Sequence, residues 1–97
     1  MINQPDERIG VLYIDDGSAD HDAVRRRVQA DARFRLVVAG SADEVDRSLA
    51  NERFDLVLGE LSPWGLEPLW ILDRVRVAGA GAAVSFLTSR CSEALAA

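Results

Sequence analysis

Short apolar runs alternate with amphipathic stretches along the whole chain. The run Ile9–Ile14 is almost continuously apolar, which is typical of a strand covered on both faces. Further β-rich runs lie at 34–39, 54–59 and 82–87. Helical spacing of apolar residues predicts helices over about 19–32, after Ser41, from Pro68, and over a short tail at 92–97. The order β-α-β-α-β-α-β-α predicts a parallel sheet with helices on both faces.

Local signals support two of these helices. Ser41 with Glu44 three residues later forms a capping box, and Pro68 suits a first helical turn because its missing N–H is not needed there. The glycines of 79–81 end the helix that begins at Pro68. The residues predicted to face the core from these two helices are Val45, Leu49, Leu69, Leu72 and Val75.

Composition and charge exclude several classes of protein. With 97 residues, 48% of them hydrophobic and 28% charged, the chain is expected to be one globular domain over 1–97. No apolar run reaches the roughly 18 residues of a membrane span, and no signal peptide is evident, so we expect a cytoplasmic protein without membrane contact. The net charge of −5 weighs against direct nucleic-acid binding. All 11 basic residues are arginines, which excludes a P-loop or a Schiff-base lysine. The three arginines at 25–27 are predicted mostly to face water.

Oxygen-bearing side chains follow the carboxyl ends of three predicted strands. Asp15 and Asp16 follow the first strand, Glu60 the third and Thr88 the fourth. The carboxyl ends of parallel strands meet at one edge, where open α/β sheets bind ligands. Because clustered carboxylates repel one another and suit Mg²⁺, the pattern predicts an acidic pocket that binds Mg²⁺ weakly, with a hydroxyl to hold a phosphoryl oxygen. The alternative is that acids lie at strand ends only because loops are polar.

Three segments in order resemble the receiver domain of bacterial response regulators, the proteins of two-component signalling. They are 11–16 (VLYIDD), 54–61 (FDLVLGEL) and 84–89 (VSFLTS). The resemblance covers nearly the whole chain and implies a flavodoxin-like, doubly wound parallel sheet. It also implies a domain truncated to about four βα units, with strand order 2-1-3-4, because the family's fifth strand and fifth helix have no counterpart here.

The resemblance assigns roles to individual positions. Asp15 and Asp16 match the acidic pair that binds Mg²⁺, and Thr88 matches the hydroxyl that contacts the phosphoryl group. Glu60 stands where the family has its phospho-accepting aspartate. Glutamate is one methylene longer, so it would not present its oxygen in line, and its charge resembles that of the phosphorylated state. The family's lysine on the fifth strand is missing, which leaves a metal ion or Arg90 as the cation near the pocket.

We therefore expect a pseudo-receiver of a phosphorelay that has no enzymatic activity and acts by protein–protein interaction. Its partner would be a histidine kinase or another signalling protein. One alternative is a response-regulator receiver that accepts phosphate and is completed by further sequence. The other is a small Mg²⁺-dependent phosphotransferase or phosphatase that uses Asp15 or Asp16.

Candidate interface residues lie in the second half of the chain. Because the family's fifth strand has no counterpart here, the strand 82–87 is predicted to lie at the edge of the sheet, where it has no charge and no proline to protect it. We expect a homodimer with Phe86 in the interface to cover this edge, either by antiparallel strand pairing or by exchange of the tail, unless further sequence does so. Trp64 lies in the loop over the pocket. Trp70 either contacts a partner or packs beneath Arg74, four residues further along its helix.

Overall fold

The computed structural model describes residues 8–15, 22–60, 67–79 and 81–87. Within these ranges strands and helices alternate as β1 (Ile9–Ile14), α1 (Asp22–Ala30), β2 (Phe34–Ala39), α2 (Ala42–Asn51), β3 (Leu56–Glu60), α3 (Pro68–Val77) and β4 (Ala83–Leu87). All strand pairs are parallel, in the order β2-β1-β3-β4. The predicted flavodoxin-like α/β fold with strand order 2-1-3-4 is confirmed. The helix predicted for 92–97 lies outside the described residues.

The main core lies between the sheet and the helices α2 and α3. It consists of Leu12, Ile14, Ala39, Val45, Phe54, Val57, Ile71 and Val75. Successive residues of a strand point to opposite faces, so Val11 and Tyr13, which are also buried, lie on the α1 side of the sheet. β1 is therefore covered on both faces, which explains its continuous apolar run.

The predicted start of α2 is confirmed by its capping contacts. Ser41 Oγ accepts the backbone N–H of Glu44 at 3.2 Å, and Glu44 Oε2 accepts the N–H of Gly40 at 2.7 Å. Val45 is fully buried, and Leu49 packs against the core. The sequence therefore predicted both the first residue and the buried face of this helix.

The buried face of α3 differs from the prediction. Ile71 and Val75, four residues apart, are buried in the core, whereas Leu69 is 71% exposed and Leu72 is 42% exposed. The predicted stripe was wrong at both leucines and right at Val75. The physical reason is that the sheet covers one narrow side of the helix, and residues four apart fill it.

β3 begins two residues later than predicted because Asp55 has another role. Its Oδ2 accepts the N–H of Gly10 at 2.9 Å, and its backbone N–H donates to the Gly10 carbonyl at 2.8 Å. Its own carbonyl accepts the N–H of Ala83 at 3.0 Å. Asp55 thus ties the starts of β1 and β4 together. None of the helices among the described residues is long and apolar enough to cross a membrane.

Candidate functional site

The carboxyl ends of β1 and β3 lie side by side in the middle of the sheet. The two strands pair in parallel, with Ile14 opposite Gly59. Asp15, directly after β1, therefore lies beside Glu60, the last residue of β3. The register brings these two predicted pocket residues to the same edge of the sheet. Asp16 and Thr88 lie outside the described residues, so their part in the pocket stays a prediction.

Glu60 is held inside the protein by a hydrogen bond to Tyr13. The Tyr13 hydroxyl donates to Glu60 Oε1 at 2.5 Å, and the two residues are 1% and 3% exposed. Tyr13 is paired with Leu58, two residues before Glu60, so both polar side chains project from the α1 side of the sheet. The carboxylate therefore lies against a donor on the neighbouring strand and is removed from solvent.

The environment of Tyr13 keeps its hydroxyl protonated. Burial raises the pKa of Tyr13 well above its ordinary value near 10, and the hydrogen bond and negative charge of Glu60 raise that pKa further. Asp15 acts in the same direction, and Arg25 opposes them. A neutral phenol is a donor, and a donor is what a buried carboxylate requires. Tyr13 therefore remains a hydrogen-bond donor to Glu60 at neutral pH.

Asp15 has a cationic neighbour that the sequence analysis did not predict. Arg25 Nη1 lies 3.7 Å from Asp15 Oδ2, and the two side chains are 32% and 20% exposed. The arginines at 25–27 were predicted mostly to face water; Arg26 and Arg27 are exposed, whereas the Arg25 guanidinium is partly buried over the pocket. The available signal was position: Arg25 lies in the first turn of α1, and a helix that follows a strand begins near the carboxyl end of that strand.

The described contacts of Asp15 and Glu60 bear on how a Mg²⁺ ion could bind. Among the residues that the structure describes, no group of three or more His, Cys, Asp or Glu residues could hold a metal ion. Asp15 faces a guanidinium and Glu60 faces a phenol, so a cation would compete with both of these contacts. The Mg²⁺ prediction also involves Asp16 and stays a prediction.

The two tryptophans and Phe86 were predicted as interface candidates. The Trp70 side chain is partly buried against the core, and the Arg74 guanidinium lies 5.6 Å from its ring centroid. Arg74 also donates two hydrogen bonds to the Asp46 carboxylate, at 2.8 and 2.9 Å, which hold the pKa of Asp46 below its ordinary value. Trp70 thus makes the intramolecular contact with Arg74. Phe86 is partly buried against the same core, and Trp64 lies outside the described residues.

The geometry keeps the Glu60 carboxylate in a contact with Tyr13 and away from reactants in solution. Glu60 cannot approach a phosphoryl donor in solution without leaving Tyr13, because only 3% of it is exposed. Asp15 remains accessible, but its carboxylate faces a positive charge. A comparison of the chain with models of protein families, with curated proteins and with solved structures finds no significant match.

Proposed function

We propose that this chain is a pseudo-receiver, a cytoplasmic signalling module of a two-component phosphorelay that acts by binding another protein. The partner is a histidine kinase or another signalling protein, and the module has no enzymatic activity of its own. The observation that carries the proposal is the buried Glu60 at the end of β3, bonded to Tyr13 at 2.5 Å. A phospho-acceptor at this position has to meet its donor, and this carboxylate is shielded from it.

The charge balance of the pocket supports the same proposal. Arg25 places a guanidinium 3.7 Å from Asp15. A carboxylate that already faces a cation gains less from Mg²⁺, so we expect Mg²⁺ to bind weakly.

The position of Glu60 also bears on which state the module adopts. A free glutamate in the pocket would imitate the charge of a phosphorylated aspartate. Here the carboxylate is turned towards Tyr13 on the α1 side and is shielded from solvent. We therefore propose that Glu60 fixes the end of β3 in one conformation and does not act as an exposed phosphate mimic.

Incubation with acetyl phosphate and Mg²⁺, followed by intact-mass measurement, tests the proposal. We expect no phosphoryl adduct on the wild-type chain or on the Glu60→Gln variant. Glu60→Asp is the matched variant, since it restores the shorter acidic side chain of the family at this position. A wild-type adduct that Glu60→Gln abolishes would overturn the proposal in favour of a phosphorylatable receiver. Mg²⁺-dependent hydrolysis of a small phosphate ester would overturn it in favour of an enzyme.

A further inference from the structure

An apolar cleft lies between α3 and β4, away from the pocket of Asp15 and Glu60. It has a volume of about 690 Å³. Its walls include Leu69, Leu72, Asp73 and Arg76 of α3 with Ala82 and Val84. Leu69 is 71% exposed and Leu72 is 42% exposed, although both side chains are large and apolar. These two leucines leave apolar side-chain surface of α3 uncovered beside the cleft.

The cleft continues into an open sheet edge. β4 pairs with β3 on one side, and no strand among the described residues pairs with its other side. Ala83 donates its N–H to Asp55 on the β3 side, so the alternate residues Val84 and Phe86 direct their backbone N–H and C=O groups outwards. β4 carries neither charge nor proline, so no feature of its sequence blocks pairing there.

We propose that a second copy of the chain occupies this surface. Two β4 strands would pair antiparallel across a two-fold axis perpendicular to the sheet, which joins the two sheets edge to edge. α3 packs over β3 and β4, since Ile71 of α3 lies beside Gly59 and the cleft separates the helix from Val84. With strands about 4.8 Å apart, the two α3 helices would then lie about 10 Å from each other. Packed helices lie at about this distance. The same two-fold axis would therefore pair the two β4 edges and bring the two α3 helices together over the cleft.

The charges on α3 favour a copy of the same chain as the occupant. Asp73 and Arg76 lie 3.6 Å apart on the cleft side, with side chains 53% and 85% exposed. The two-fold axis makes the helices antiparallel, and we place it where it crosses α3 between these two residues, so that Asp73 of each copy faces Arg76 of the other. A surface that carries both an acid and a base in this arrangement is complementary to a second copy of itself, as an isologous interface requires. Glu60 takes no part in this surface, so the inference does not depend on the proposed function.

Light scattering coupled to size exclusion, over a range of concentrations, tests the dimer with a matched pair of variants. Leu69→Glu and Val77→Glu replace residues of α3 that are 71% and 70% exposed, but only Leu69 lines the cleft. We expect the wild type and Val77→Glu to be dimers, and the dissociation constant of Leu69→Glu to rise by roughly a hundredfold, since each dimer buries two such residues. Circular dichroism should show that both variants fold. A wild-type monomer, or equal dimerisation of the two variants, overturns the proposal.

Charge reversal tests the two-fold arrangement itself. Asp73→Arg or Arg76→Asp alone would place like charges opposite each other, and we expect either change to raise the dissociation constant roughly tenfold. The combined variant, Asp73→Arg with Arg76→Asp, should restore the wild-type value because the pairs are re-formed with reversed signs. Absence of this rescue overturns the antiparallel pairing of the α3 helices.

Discussion

Removal of the Tyr13 hydroxyl measures how strongly the buried pair stabilises the fold. The Tyr13→Phe variant keeps the ring of a residue that is only 1% exposed. It deletes only the hydroxyl that donates to Glu60 at 2.5 Å. Hydrogen bonds to charged groups contribute about 1.5–3 kcal/mol to stability. We expect the free energy of unfolding to fall by about 2 kcal/mol at neutral pH. In a domain of this size that lowers the melting temperature by about 8–16 °C.

A double-mutant cycle separates the hydrogen bond from the packing of the two side chains. Glu60→Leu leaves the Tyr13 hydroxyl buried without this acceptor, and we expect it to destabilise the fold by about 1–3 kcal/mol. The double variant removes both polar groups, so its loss should be smaller than the sum of the single losses by about 1–2 kcal/mol. Glu60→Gln, which keeps an acceptor oxygen, should be the mildest change at this position.

Urea denaturation followed by tryptophan fluorescence gives these free energies, since the chain has 2 tryptophans. All variants are compared at one protein concentration, because dimer formation would add to the apparent stability. A loss below about 0.5 kcal/mol for Tyr13→Phe would contradict a buried hydrogen bond to a charged acceptor. So would strict additivity of the cycle, since independent sites show no coupling.

Two further predictions concern pH and metal. Because the pKa of Tyr13 is raised, its stabilising effect is complete below the unfolded-state pKa near 10 and is lost as the pH rises above it. The free energy of unfolding should therefore fall above about pH 10. Tyrosinate absorbance should appear together with unfolding and not before it, and it reports on Tyr13 alone because the sequence has 1 tyrosine. Arg25→Gln removes the cation beside Asp15, so millimolar Mg²⁺ should raise the melting temperature of this variant more than that of the wild type or of the exposed Arg26→Gln control. Equal responses of all three would show that Arg25 and Mg²⁺ do not compete.

The central position of β1 could be predicted because its signal was strong, whereas the strand order 2-1-3-4 was implied by the resemblance to receiver domains. A continuous apolar run such as Ile9–Ile14 has to be covered on both faces, and only an interior strand of an α/β sheet satisfies that. The buried face of α3 could not be predicted in the same way. Its apolar residues lie on nearly all sides, including Leu69, Ile71 and Leu72, so helical periodicity does not select one face. Contacts with the sheet determine which face of α3 is buried, and these contacts cannot be read from the sequence of the helix alone.

The sequence predicted where the candidate site lies, but it did not predict the contacts of Tyr13 and Arg25 within it. Asp15 and Glu60 follow from the rule that parallel strands end at one edge. Tyr13 lies within an apolar run, which indicates only a buried strand, and its partner depends on the register between β1 and β3. Arg25 lies in a run of three arginines, where charge pattern alone indicates a solvated face. Both contacts arise from tertiary geometry that brings distant segments together.

The pocket and the proposed dimer surface meet at one strand. Glu60 is paired with Leu87, the last residue of β4, so the strand end that Tyr13 fixes is hydrogen-bonded to the strand that would form the dimer edge. The carboxylate lies on the α1 side, whereas the cleft lies on the α3 side, and the sheet between them is close-packed. A partner that drew Glu60 away from Tyr13 would therefore disturb the end of β4 without touching the cleft. If the proposals are right, this shared strand would link changes at Glu60 to the proposed dimer surface.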